Sequence, residues 1–171
     1  MKRRIAILSM LTIFCTTLFM GCGKKEYITT LNLRKTANVI EELTYEKDGK
    51  NVPIFYNMTS PNEKEINKIY KIDESMLDEL IIKQSALSTK SNLYILAKVK
   101  PDKKEEVKKA IDDYMIGYEN TWKGQNQAEY NLVVNRSYYE NNNYLIYVIS
   151  YDNNKVIDAF TSSFEEKEVS K

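Results

Sequence analysis

The chain has 171 residues, 25 basic against 24 acidic side chains, two cysteines and no histidine. Without histidine, no Ser-His-Asp or Cys-His device and no zinc site built from Cys and His can form, and the commonest general base near neutral pH is missing. The near balance of charge excludes the polybasic footprint that nucleic acid or an anionic lipid surface calls for.

In chain order, Lys2, Arg3 and Arg4 make a basic start, and Ile5 to Met20 is uncharged and mostly apolar. Phe19-Met20-Gly21-Cys22 then sets a small residue directly before a cysteine. The apolar run is broken by Ser9, Thr12, Thr16 and Thr17. It falls short of the roughly 18 to 20 apolar residues of a spanning helix and suits the shorter core of an export signal. The segment resembles the signal peptide of a bacterial lipoprotein, with Phe19 standing where that family usually has Leu. The resemblance implies cleavage between Gly21 and Cys22, a diacylglyceryl thioether and palmitate-type acylation on Cys22, and a chain held on the extracytoplasmic face of the cell membrane. Ordinary secretion and a retained helix are the competing readings.

Cleavage there leaves 150 of the 171 residues and removes Cys15 with three basic residues, so 22 basic side chains face 24 acidic ones, a formal charge of −2. With Cys22 acylated, no free thiol or disulfide remains. A length of this order supports one core.

Residues 22–30 read as a tether. Leu33, Thr36 with Ala37, Ile40 and Leu43 then recur at helical spacing, with Asn32 or Thr30 as cap. Asp48-Gly49-Lys50 is a turn signal, and Val52 to Tyr56 is an extended piece whose Pro53 keeps it from a central strand. Ser60-Pro61-Asn62-Glu63 starts a short helix, with Ser60 as cap and Ile66, Ile69 and Tyr70 as its apolar face. Asp73 caps a further turn, and Leu80 to Lys83 reads as a strand.

After a polar loop over 85–92, Leu93 to Val99 is a strand with Leu93, Ile95, Ala97 and Val99 on one face. Pro101 to Glu105 opens the longest helix, with Asp102 and Glu105 as a capping box. Its stripe is Val107, Ala110, Ile111, Tyr114, Met115, Tyr118 and Trp122. Gly117 suggests close approach to a strand, and Gly124 terminates. Leu132-Val133-Val134 and Tyr144 to Ile149 read as two strands joined through Glu140 to Asn143, where an Asn takes the left-handed turn position. Asp152-Asn153-Asn154 caps a last helix with Val156, Ile157, Phe160 and Phe164 inward, and 165–171 reads as a frayed tail.

From about Tyr70 to Phe164 the chain resembles the uncharacterised bacterial lipoprotein family catalogued as domain of unknown function 4358. The residues that carry this are Tyr70 to Asp73, Leu77-Asp78-Glu79, Leu93 to Val99, Val107 to Tyr118, Glu129-Tyr130, Tyr144 to Ile149, Asp152 and Ala159-Phe160. The resemblance implies a lipid-anchored protein of low-GC Gram-positive bacteria and brings no activity with it.

No constellation of catalytic side chains stands out. Glu105-Glu106 and Asp112-Asp113 are helix neighbours about 100° apart and read as a solvated face. Asp152, Asn153, Asn154 and Asp158 supply oxygens for calcium but lack the loop's glycine and distant glutamate, so they read as a cap. Gly49, Gly117 and Gly124 are isolated and build no phosphate cradle. No cofactor and no metal site is expected.

The sheet face opposite Leu93, Ile95 and Ala97 is apolar too. Either the segments from Leu33 to Tyr70 roof it, or it stays open and Tyr94, Tyr144 and Trp122 become docking residues. The expected fold is α+β: a mainly antiparallel sheet of about four strands in ββαββα order, with N-terminal helices packed on it, over residues 31–164. The expected role is a non-catalytic, lipid-anchored module that meets membrane lipid through Cys22 and recognises another envelope protein. A small ligand-binding lipoprotein, with a pocket between helices and sheet, is the first alternative. An envelope hydrolase using Asp and Glu is the second.

Overall fold

The computed structural model describes residues 27–168. The expected signal segment with Gly21 and Cys22 lies outside the described residues. Strand β1 (Tyr27–Thr30) leads into helix α1 (Leu33–Glu41), which Asn32 caps by accepting the Lys35 N–H at 2.9 Å. Strands β2 (Thr44–Lys47) and β3 (Lys50–Pro53) form a hairpin. Asp48 and Gly49 both take positive φ there (52° and 72°), the backbone twist that a two-residue hairpin loop needs.

Strand β4 (Met58–Thr59) is followed by α2 (Glu63–Glu65), which passes directly into a π-helical turn (Ile66–Tyr70), and then by a 3-10 turn (Glu74–Met76). Strands β5 (Leu77–Ser85) and β6 (Leu93–Val99) come next. Beyond a 3-10 turn (Pro101–Lys103) lie α3 (Lys104–Trp122) and α4 (Gln127–Val134). The chain finishes with β7 (Ser137–Asn141), β8 (Tyr144–Ile149), α5 (Asn153–Ser162) and β9 (Glu165–Glu168).

The main sheet has five antiparallel strands in the order β4-β5-β6-β8-β7, while β1 with β9 and β2 with β3 form separate ribbons. Strands β6 and β8 sit at the centre because they are apolar on both faces, the pattern of a strand covered on both sides. One face presents Leu93, Ile95, Ala97, Leu145 and Tyr147 to Val107, Ile111 and Met115 of α3 and Val133 of α4. The other presents Tyr94, Leu96, Tyr144, Ile146 and Val148 to α1 (Leu33, Ala37, Ile40), to Ile54 and Phe55, and to Val156 and Phe160 of α5. The result is three layers with α1 and α5 packed together on the second face.

That arrangement decides the open-or-roofed alternative. Tyr94 and Tyr144 are buried because α5 crosses to the far face and joins α1, rather than sharing the near face with α3, so neither offers a docking surface. Trp122 is also buried, at the C-terminal end of the α3 stripe.

Other expectations change as well. Leu132 to Val134 ends helix α4, which Asn126 caps through the N–H groups of Ala128 and Glu129; Val133 faces the core while Val134 is exposed. The strand of that hairpin is instead Ser137–Asn141, and Asn142 supplies the left-handed turn residue at φ 54°. The helix after Pro61 is capped by Asn62 with Glu65, not by Ser60. Helix α3 starts at Lys104 without a side-chain cap, because the 3-10 turn takes up Asp102. A Cβ built on Gly117 meets nothing within 4 Å, so no strand approaches there. Tether and tail are shorter than expected: Tyr27 to Thr30 of the one pairs with Glu165 to Glu168 of the other.

Candidate functional site

Three regions outside the apolar layers hold the groups that could act: an incomplete sheet edge, an aromatic groove and a buried carboxylate. The sheet edge follows from local chemistry. Strand β4 pairs with β5 only at Met58↔Ser85 and Thr59↔Gln84. Pro61 then removes a donor, and Asn62 turns the chain into α2, so the fifth strand stops after two residues. Ser85 N–H donates to Asn92 C=O and Ala86 N–H to Asn57 C=O, both at 2.9 Å. The backbone groups of alternate residues therefore turn inward and outward.

The β5–β6 register runs unbroken from Glu79 to Gln84, which directs Glu79, Ile81 and Lys83 toward β6 and Leu80 and Ile82 away from it. Among the described residues, no backbone or side-chain group meets the outward N–H and C=O of Leu80 and Ile82. A groove of about 880 Å³ fronts the Leu77 to Leu80 part of this edge, walled by residues of α2 and the π-helical turn and floored by Ile66, Ile72, Leu77 and Leu80, while Ile82 is buried and does not line it. Its rim carries Glu63, Asp73 and Glu74 with Lys64 and Lys68, while Asp78 and Glu79 are engaged by Lys98 at 3.4 Å and Arg34 at 3.6 Å.

The aromatic groove, about 390 Å³, runs between α3 and residues Ile69 to Lys71. Tyr114, Tyr118 and Trp122 follow one another at i, i+4 and i+8, and Tyr70 packs against the near end at a tilt of 37°, its centroid 4.1 Å from that of Tyr114. Tyr70 donates to Gln84 Oε1 at 3.3 Å and Tyr118 to Ser91 C=O at 3.2 Å. Burial pushes both phenols up to about 12, so neither supplies a phenolate near neutral pH. Trp122 Nε1 is buried and meets no partner at hydrogen-bonding geometry among the described residues.

The carboxylate is Glu129, 2% exposed. It accepts from Ser91 N–H at 2.8 Å, Ser91 Oγ at 2.9 Å, Lys90 Nζ at 2.9 Å and Tyr151 hydroxyl at 2.9 Å. Burial raises its pKa, but the opposing donors outweigh burial and hold it below the ordinary carboxylate value. Lys90 is raised in turn, by Tyr151 first and then by Glu129. A second charged cluster lies on the exposed side of α3, where Tyr138, Lys108 and Lys104 surround Glu140 and hold its carboxyl at about 2.

The acids singled out in the sequence do not converge. Lys103 and Lys109 engage Glu106 and Asp113 along the helix. Asp152 accepts the Lys155 N–H at 3.0 Å, and Asn153 Oδ1 accepts from Ser150, so this run works as a helix cap. Glu129 belonged to the residues that carry the family resemblance, yet sequence reasoning gave it no role; a lone acid between Ala128 and Tyr130, four residues ahead of Val133, was the available signal. The β5 edge left no sequence signal beyond Pro61, because a vacant strand position is a property of topology.

Fold and site together define an α+β domain: a doubly covered antiparallel sheet with one incomplete edge. The family model described as Domain of unknown function (DUF4358) matches residues 52–150, more than half of the chain, and the chain belongs to that family. The match starts at β3, earlier than Tyr70, and stops after β8, so α1 and α5 lie outside it. No curated protein and no solved structure gives a significant match.

Proposed function

We propose that this protein is a non-catalytic interaction module, lipid-anchored through Cys22 at the extracytoplasmic face of the cell membrane, that recognises another envelope protein. The observation that carries the reading is the basic, apolar and small-residue pattern that runs from Lys2 to Cys22. Strand β1 starts at Tyr27, five positions after Cys22, and is tied to β9. Five Cα steps span at most about 18 Å, so acyl chains on Cys22 would keep the domain close to the headgroups. Two chains on one residue suit stable anchoring, which a single chain does not give.

The non-catalytic part is supported by Glu129, whose two oxygens are taken up by four donors. The interaction part is supported by the open groove at β5. Among the described residues no helix is long and apolar enough to cross a membrane. The ligand-binding alternative would use the aromatic groove, whose about 390 Å³ falls within the size range of small-molecule sites.

Labelled palmitate, fed to cells making the wild type or Cys22→Ala, tests the anchor. Label should enter the wild type alone and follow it into the membrane fraction. Unlabelled protein in the cytosol with residues 1–21 still attached would overturn the proposal. Crosslinking in intact cells tests the partner, with adducts expected for the anchored chain and lost in Cys22→Ala.

A further inference from the structure

We infer that the opposite edge of the sheet, strand β7, pairs with β7 of a second copy of this chain, antiparallel and centred on Tyr139. Strand β7 is outermost in the order β4-β5-β6-β8-β7, and among the described residues no strand lies beyond it. Val99 N–H donates to Asn143 C=O at 2.8 Å, so the odd-numbered residues of β6 turn toward β8. Their partners Leu145 and Tyr147 bond on that side, which leaves Tyr144, Ile146 and Val148 for β7. Ser137, Tyr139 and Asn141 therefore bond to β8, and the N–H and C=O of Tyr138 and Glu140 point outward, met by no group among the described residues. This edge is reachable: Tyr138 and Tyr139 are each 38% exposed.

The occupant follows from what self-pairing sets against what. Two copies related by a two-fold axis can pair through their outward residues with the axis at Tyr138, Tyr139 or Glu140. An axis at Glu140 puts that carboxylate directly opposite its own copy, which is destabilising. An axis at Tyr138 pairs Glu140 with Arg136, which precedes the strand and is held by Glu119 at 2.8 Å. The axis at Tyr139 uses all five residues of the strand. Tyr138 then meets the second copy's Glu140 in both directions, Tyr139 meets Tyr139, and Ser137 meets Asn141. No like charges face one another, a phenol donor faces a carboxylate, and an aromatic pair forms at the centre. Lys104 and Lys108 already stand against Glu140 at 3.1 and 2.9 Å, so each carboxylate brings its own cations to the pair. Pairing one short strand falls below a standard interface of roughly 1,200 to 2,000 Å², so it holds where copies are crowded on one surface. That much rests on the anchor reading, in which Cys22 supplies the crowding.

The test places single cysteines on the chain in the membranes of cells that make it and reads disulfide dimers after mild oxidation. Tyr139→Cys should give at least about tenfold more dimer than Tyr138→Cys, which is equally exposed, or Tyr56→Cys, 70% exposed. Only position 139 meets its own copy within the roughly 4.4 to 6.8 Å between Cα atoms that a disulfide spans. Tyr138→Cys and Glu140→Cys chains made together should dimerise with each other. Yields that follow exposure, with Tyr56→Cys highest, or no dimer at 139, overturn the pairing. The wild type is the control: with Cys22 acylated it should give no dimer, and a wild-type disulfide would count against the anchor reading alone. Amide exchange of the wild type in vesicles needs no thiol and decides the pairing in that case, or where a cysteine unsettles the strand. Raising chain density should slow exchange at Tyr138 and Glu140 by about fivefold and leave Tyr139, bonded to β8, unchanged. Rates at Tyr138 and Glu140 that do not depend on density overturn it.

Discussion

The two ends of strand β5 treat polar groups in opposite ways. Beyond its C-terminal end, around Ser91, a charged carboxylate is taken into the protein and every approach to it is filled: Glu129 meets a backbone N–H, two hydroxyls and an ammonium. Toward its N-terminal end, Leu80 holds out backbone groups that nothing in the described chain answers. Burying a charge is tolerable only with full pairing, so the first region is committed to stability. At Leu80, which lines the groove, water can reach the open edge and the cost is small, so that position is not committed to stability in the same way.

The largest expected effect lies in the satisfied region. Glu129→Ala should lose about 3 kcal/mol of stability in urea unfolding, because it leaves the buried Ser91 N–H without its acceptor and Tyr151 hydroxyl and Lys90 with only each other. A loss below about 1 kcal/mol would mean that the knot is not the strong point it looks.

Acid should act on the same region. The folded pKa of Glu129 lies below its ordinary 4.5 and that of Glu140 falls to about 2. For such groups the unfolded state binds protons first. Their stabilisation is present above the unfolded value and is lost as pH falls through the folded one. Stability should therefore decline from about pH 5 downward, and more shallowly in Glu129→Gln, which thermal unfolding across that window would check.

The smallest effect concerns the aromatic groove. Gly117 has open space where a Cβ would stand and no left-handed backbone. Gly117→Ala should raise stability by about 1 kcal/mol, the ordinary helix propensity gain. A loss would show that the glycine serves a contact outside the described chain.

The layers were legible where residues speak locally. Strands β6 and β8 announced themselves by being apolar on both faces, α3 by its stripe, and the Asp48-Gly49 and Asn142 turns by residues that accept positive φ. Leu132 to Val134 misled, because three consecutive apolar residues have no period and β-branching favoured a strand; the Asn126 cap, six residues upstream, outweighed it. Strand β7 was missed because it is an edge strand rich in Tyr, Glu and Asn, half in water. The β1–β9 ribbon joins the two ends of the described chain, and no local pattern predicts so distant a pairing. The side on which α5 packs is likewise a matter of topology, and it buried Tyr94 and Tyr144. Of the site, the carboxylate was visible as a residue but not as a node, and the vacant strand position was invisible.

Amide exchange of the unliganded chain, read residue by residue along β5, is the most direct measurement of the contrast drawn here. Leu80, whose N–H faces the groove, should exchange at least about tenfold faster than Ile81 and Lys83, whose N–H groups bond to β6. Equal protection at all three would mean that the edge is already paired, and would contradict the account.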